Sequence, residues 1–249
     1  MYQFFIEDEN AAEDFVTIEG SDVNHIKNVL RMKPGEKIRV CTRSGQNYFC
    51  SISDITESFV RADILEKEAE STELPCRIYL FQGLPKNDKM EWIIQKTVEL
   101  GVYEVIPVAM KNCVVKLDDK KAKSKVMRWQ AIAESAAKQS KRSLIPEVKM
   151  PMSYKEAVAY AKELDVKLVA YENEHGMAGT KAAMEQIKKG ESIAVFIGPE
   201  GGFAPEEIAL VQDEMQLISL GKRILRTETA GIAALAILGY QLESSDMIE

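Results

Sequence analysis

Apolar positions along this chain change rhythm once, near Pro75. Before that point they form short alternating or β-branched runs, Phe15–Ile18, Lys37–Cys41, Tyr48–Ile55 and Phe59–Leu65. Turn signals at Pro34-Gly35, Ser44-Gly45 and Glu57-Ser58 separate them, so each run predicts a strand. One helix interrupts the strands, with Ser21 placed to cap it and Val23, Ile26, Val29 and Leu30 at helical spacing. Few strands of this length close up except as a small barrel. The charged, apolar-poor stretch Glu66–Glu73 reads as a linker.

After Pro75 strands and helices alternate. Strands are expected at Arg77–Gln82, Glu104–Val108, Lys167–Tyr171, Ser192–Ile197 and Leu217–Leu220. Helices are expected at Asp88–Leu100, Lys120–Lys141, Tyr154–Leu164, Thr180–Lys189, Pro205–Asp213 and Thr229–Gln241. Such alternation implies a parallel sheet covered on both faces, hence an α/β fold. Two domains follow, 1–72 and 73–249. Trp92 and Trp129 fall at core-like helical spacing, which predicts packing and not base stacking. The last helix is apolar on every side and must be buried all round, within one domain or against a second subunit.

Composition excludes some classes. No apolar stretch is long enough to span a membrane, and the start MYQFFIEDEN lacks a signal peptide's basic flank and apolar core. A cytoplasmic protein is expected. Cys41, Cys50, Cys76 and Cys113 lie far apart, and only His25 and His175 accompany them, so buried or semi-buried thiols are expected and no metal. The net charge of −7 argues against a nucleic-acid partner, but its distribution does not. Lys111–Arg142 holds ten basic and three acidic residues, a local +7 that leaves −14 for the rest. That stripe is either an electrostatic footprint or a solvated helix face.

Two glycine-containing loops carry the chemistry. GPEGGF (198–203) follows one apolar run, and LGKRILRTETAG (220–231) follows another. Neither is Gly-x-Gly-x-x-Gly, and no Gly-Lys-Ser/Thr is present, so dinucleotide and P-loop fingerprints are missing. The helix after the first loop opens Pro205-Glu206-Glu207, and those glutamates already answer its dipole and would repel phosphate. A cationic, phosphate-free ligand suits such a loop, and S-adenosylmethionine is one. A tight turn without a ligand is the plainer reading of the first loop taken alone.

The chain resembles the RsmE family, the uridine N3-methyltransferases of ribosomal small-subunit RNA in the SPOUT class. The resemblance rests on six pieces in order. They are His25-x-x-x-Val29-Leu30-Arg31, then Gly83-Leu84-Pro85-Lys86-x-Asp88-Lys89-Met90-Glu91, then Glu99-Leu100-Gly101-Val102. Glu134-Ser135-Ala136-Ala137-x-Gln139-Ser140-x-Arg142, Gly198–Phe203 and Leu220–Ala230 complete the set. The resemblance implies a SPOUT-type knotted parallel-sheet domain behind a small PUA-like β-barrel that binds RNA. It also implies S-adenosylmethionine as cofactor and a homodimer whose sites the neighbour completes. The substrate it implies is 16S rRNA of the small subunit. A non-catalytic RNA-binding or ribosome-assembly protein of the same fold, or a SPOUT enzyme acting on tRNA, are the alternatives.

Carried over by position, the cofactor site falls on Ile197, Gly198, Pro199, Glu200, Gly201, Gly202, Leu220, Gly221, Ile224, Leu225, Arg226, Thr229 and Ala230. The end of the strand Lys167–Tyr171 forms a third wall. Arg226 and Arg142 are expected to stabilise charge on the uracil oxygens, and Glu200 or Glu228 to accept the N3 proton. RNA is expected at Lys86 and on the basic stripe, through Lys121, Lys125, Arg128, Lys138 and Arg142. On the barrel it is expected at His25, Lys27, Arg31, Lys33 and Arg43. Two positions depart from the family. Tyr2-Gln3 stands where an arginine is usual, and Ala204 replaces a capping Ser or Thr before Pro205.

Overall fold

The computed structural model describes residues 1–68, 71–174 and 176–245. They fall into two compact units, Met1–Glu73 with Ala137–Ile145, and Leu74–Ala136 with Pro146–Glu249.

The first unit opens with a strand that the hydrophobic pattern did not predict, β1 (Tyr2–Ile6). β2 (Phe15–Glu19) leads into α1 (Ser21–Asn24), which widens into a π turn over His25–Val29. β3 (Lys37–Thr42), β4 (Asn47–Ile55) and β5 (Phe59–Glu68) follow. The sheet order is β1-β3-β4-β5-β2, with β1 parallel to β3 and the other pairs antiparallel. Register shifts between Phe49 and Cys50 and between Ile52 and Asp54 bend the β4–β5 pair, and β1 meets β2 across the seam. The sheet thereby curls around Phe4, Ile18, Ile26, Ile38, Val40, Ile52 and Val60. The expected linker is strand as far as Glu68, whose carboxylate holds the buried Arg39 guanidinium at 2.5 Å.

The second unit is a parallel sheet. β6 (Arg77–Gly83), α2 (Lys89–Glu99), β7 (Val102–Ala109) and α3 (Asp119–Ser140) begin it. Two short strands, β8 (Glu147–Val148) and β9 (Met152–Ser153), pair with β7. They lead to α4 (Tyr154–Lys162), β10 (Val166–Ala170), α5 (Ala178–Glu185) and β11 (Ser192–Ile197). α6 (Pro205–Val211), β12 (Gln216–Ile218) and α7 (Thr227–Ser245) end it. The order is β12-β10-β11-β6-β7-β8, so the chain goes one way from β6 to β7 and the other way to β11 and β10. Ligands of open α/β sheets bind beyond the carboxyl ends of the strands at such a reversal. Phe81 and Phe196 stack at 4.4 Å between ring centroids within the core of this unit.

One packing expectation changes, and one of two alternatives is set aside. Trp129 is buried, but Trp92 is 54% exposed, because Met90, Ile93, Ile94 and Val98 take the inner face of α2. Lys96 Nζ lies 5.0 Å from the Trp92 ring centroid, over its face. α7 is not covered on every side within the chain, since Tyr240 is 76% exposed and Ala236 is also exposed. The thiols behave as expected. All four are free, and burial pushes Cys41 and Cys50 up to about 12.

Candidate active site

Loops after β10, β11 and β12, with Lys89 at the start of α2, wall a cavity of about 800 Å³. The first loop is built on close backbone approach. Gly202 has φ +66°, and a Cβ there would fall 2.2 Å from Glu172 Oε1. A Cβ on Gly83, at the end of β6, would meet Pro199 N at 2.6 Å. Asn112 Nδ2 donates to the carbonyls of Gly201 at 3.0 Å and Gly202 at 3.2 Å, tying the loop after β7 to this one.

At the start of α6 both glutamates are engaged. Glu207 Oε2 accepts from the Ala204 backbone N–H and Oε1 from the Lys111 N–H, each at 2.8 Å. Glu207 therefore performs the reach-back half of a capping box, although Ala204 has no oxygen to offer. Glu206 pairs with the Lys111 ammonium, which holds its carboxyl below the ordinary value. Two carboxylates answer the positive end of this helix, and a phosphate there would meet negative charge.

The second loop is pinned by one hydroxyl. Thr227 Oγ1 donates to Gly198 O at 2.6 Å and accepts from Gln82 Nε2 at 2.8 Å. The start of α7, the end of β11 and the end of β6 are thus joined at one buried point. A Cβ on Gly231 would meet Gln82 Oε1 at 3.0 Å, so α7 packs against that strand at glycine distance. Ser219 N–H donates to the buried Thr180 hydroxyl at 2.9 Å and fixes the loop's entrance.

Charge on the wall is organised around Lys89. Its Nζ lies 3.0 Å from Glu200 Oε1 and 3.1 Å from Glu228 Oε2. Hydrogen bonding to Glu200 and then Glu228 raises the Lys89 ammonium above its usual value. Partial burial opposes ionisation of Glu200, but Lys89 and the backbone N–H groups of Glu200 and Lys86 outweigh it and hold the carboxyl low. Lys222, Arg223, Ile224 and Arg226 are exposed along the cavity's rim, Ile224 by 90%.

The structure brings together on this wall Ile197, Gly198, Pro199, Glu200, Gly202, Leu220, Gly221, Ile224, Leu225, Arg226 and Ala230. Gly201 faces Asn112 instead, and Thr229 is exposed without lining the cavity. Arg142 is not brought to it. Its guanidinium is 3% exposed in the first unit, and its Nε donates to Glu73 Oε2 at 3.1 Å. Gln3, at the position expected to hold an RNA-contacting arginine, is buried and donates to Arg142 O at 2.6 Å.

The expected RNA residues divide by their ion pairs. His25, Arg31, Lys33 and Lys86 are exposed. Lys121 pairs with Asp118 at 3.4 Å, Lys125 with Asp88 at 3.4 Å and Arg128 with Glu91 at 2.8 Å. Lys138 holds Asp22 at 3.0 Å within the first unit. Sequence reasoning missed Lys89, Glu172, Glu174, Ser219 and Thr227 as wall or anchoring residues. Lys89 and Thr227 lie inside the quoted motifs, and that membership was the available signal.

Known proteins share this arrangement. Residues 72–239 match a family model described as an RNA methyltransferase domain, and residues 18–65 match an RNA methyltransferase PUA domain. Fold and matches together thus define an RNA methyltransferase of the SPOUT type, an α/β domain with a PUA-like barrel. A ribosomal RNA small subunit methyltransferase E of Bacillus subtilis is 39% identical, covering 98% of each chain. Its namesake in Mesomycoplasma hyopneumoniae is 36% identical, covering 93% of this chain and 96% of the relative. A crystal structure of a ribosomal RNA small subunit methyltransferase E from Neisseria gonorrhoeae, bound to S-adenosyl methionine, superposes with a TM-score of 0.84. It is 32% identical and covers 96% of this chain and 97% of that one. The present chain belongs to the ribosomal RNA small subunit methyltransferase E family. Among the described residues no helix is long and apolar enough to cross a membrane, and no His, Cys, Asp and Glu group is arranged to hold a metal.

Proposed function

We propose that this protein transfers a methyl group from S-adenosylmethionine to N3 of one uridine in 16S rRNA, in the cytoplasm. The cavity carries the reading. Gly198, Gly202 and Gly221 bring backbone to its walls, and the helix behind its first loop is already answered by Glu206 and Glu207. Such a site fits an adenosyl group with a cationic sulfur better than a nucleotide phosphate. The backbone of Gly198–Gly202 and of Leu220–Arg226, with Ile197 and Ala230, would hold it. When bound, it supplies a methyl group made electrophilic by the sulfonium.

The chain's own residues handle the uracil. N3 lies on the Watson–Crick edge and carries a proton, so the base must leave its stack to be read. Arg226, exposed on the cavity rim, donates to a uracil oxygen and stabilises the anion that forms as the proton departs. Glu200, kept ionised by Lys89, accepts a hydrogen bond from the imide N–H. A carboxyl held this low is a weak final acceptor, and the proton passes on to water. Exposed His25, Arg31, Lys33 and Lys86 hold the RNA backbone, with the basic face of α3. The working modules are 1–72 for RNA and 73–249 for transfer. Two copies associate through the uncovered apolar face of α7, where Ala236 and Tyr240 stand in solvent.

Mass mapping of 16S rRNA from a strain lacking the gene tests this. One methyl uridine should be missing, restored by the wild type and not by Arg226→Ala. Calorimetry should show that Arg226→Ala still binds S-adenosylmethionine, with turnover lowered about 10²–10³-fold, as for loss of one charge-stabilising donor. A complete rRNA map in the deletion strain, with donor binding intact, points to tRNA. No heat with the donor points to a non-catalytic RNA-binding protein.

A further inference from the structure

Lys89, Glu200 and Glu228 together carry a formal net charge of −1, and the proposed transfer step neither uses Glu228 nor explains why one lysine serves two carboxylates. The two carboxylate oxygens are each about 3 Å from the same Nζ, one on the loop after β11 and the other in the first turn of α7. All three side chains are mostly shielded, 26%, 24% and 19% exposed for Lys89, Glu200 and Glu228. Lys89 and Glu200 lie on the cavity wall. The remaining charges there differ in kind. Glu172, Lys222, Arg223 and Arg226 are exposed, and Glu174 is half-exposed, so water and salt screen them far more.

We propose that this cluster sets the preference of the cavity for the methyl donor over the demethylated product. The inference rests on the reading of the cavity as a donor site. Methyl transfer breaks the sulfur–methyl bond and leaves its electron pair on sulfur, so a cationic sulfonium becomes a neutral thioether of almost the same shape. Shape therefore discriminates poorly between the two, whereas a shielded excess negative charge favours the cation. Lys89 moderates that excess. Without it the cluster would carry two negative charges, and without Glu228 it would carry none.

The two changes must act in opposite directions on one ratio, which a purely structural role would not do. Calorimetry on the full-length protein would measure Kd for S-adenosylmethionine and for S-adenosylhomocysteine. Glu228→Gln should reduce the donor preference about tenfold, the scale of one shielded charge. Lys89→Met, measured in the same buffer, should increase the preference by a similar factor. Lys89→Arg should restore the wild-type ratio. Circular dichroism confirms folding, and if Lys89→Met fails to fold, Glu228→Gln decides alone. A ratio unchanged in Glu228→Gln, or both ligands weakened equally in both variants, overturns the proposal. Failure of the wild type to bind either ligand overturns the donor-site reading itself.

Discussion

Glu207 satisfies two backbone N–H groups from different loops with one carboxylate, but it does not supply the cap oxygen that Ala204 lacks. A missing cap oxygen ordinarily costs about 1 kcal/mol, and here the helix start keeps half of the usual pair. Glu104 shows the opposite situation. Burial raises its carboxyl above the ordinary value, although Tyr160 and Lys149 hydrogen-bond to it. The native state therefore favours the protonated form, and this contribution is complete below the ordinary value of 4.5. It is lost as pH rises through the raised value. Glu104→Gln keeps an acceptor for Tyr160 and removes the charge. Thermal melts between about pH 4 and about pH 8 should show the wild type losing more Tm than this variant, by a few degrees. Parallel curves would mean that the carboxyl carries no burial penalty. Single residues were legible in the sequence where only one type fits, as at Gly202. They were illegible where a distant partner decides their fate, as Glu73 does for Arg142.

Elements expose the limits of counting charge along the chain. The stripe from Lys111 to Arg142 has a local excess of +7, yet much of it is neutralised by acids that folding brings in. Asp88 and Glu91, at the start of α2, take up Lys125 and Arg128. Lys120 and Lys123 are exposed, with no ion pair among the described residues. Reversing both to Glu should weaken RNA binding and lower the slope of log K against log salt, by about 0.7–0.9 for each phosphate no longer neutralised. An unchanged slope would remove this helix from the RNA surface. Most strands and helices announce themselves by period, but β1 does not. Its residues Gln3–Ile6 are all buried, so no alternation marks it, and its partner β3 lies more than thirty positions away in parallel register. Trp92 failed for a related reason, since helical spacing left two candidate faces and packing chose the other.

At the scale of the whole molecule, the reversal of strand order around β6 makes the crevice, and three separate loops then fill it in. Their meeting could be anticipated from two glycine motifs near the end of the chain, but not the role of Lys89 from α2. Association is the property that one chain displays least directly. Tyr240, 76% exposed on an apolar helix, has no cover among the described residues, and the second copy proposed above would present the matching surface. Ala236→Glu with Tyr240→Glu should shift the mass seen by light scattering from twice the 27.9 kDa of one chain to a single chain. A wild type already monomeric at working concentration would sink the dimer.

The Thr227 hydroxyl joins two strand ends, and every strand of the sheet precedes it in the chain. During synthesis the strands therefore emerge before the residue that clamps them together. A nascent copy has most of its scaffold available while the pocket is still open. The small-molecule pocket is completed only by the last helix, through Thr227 and Ala230.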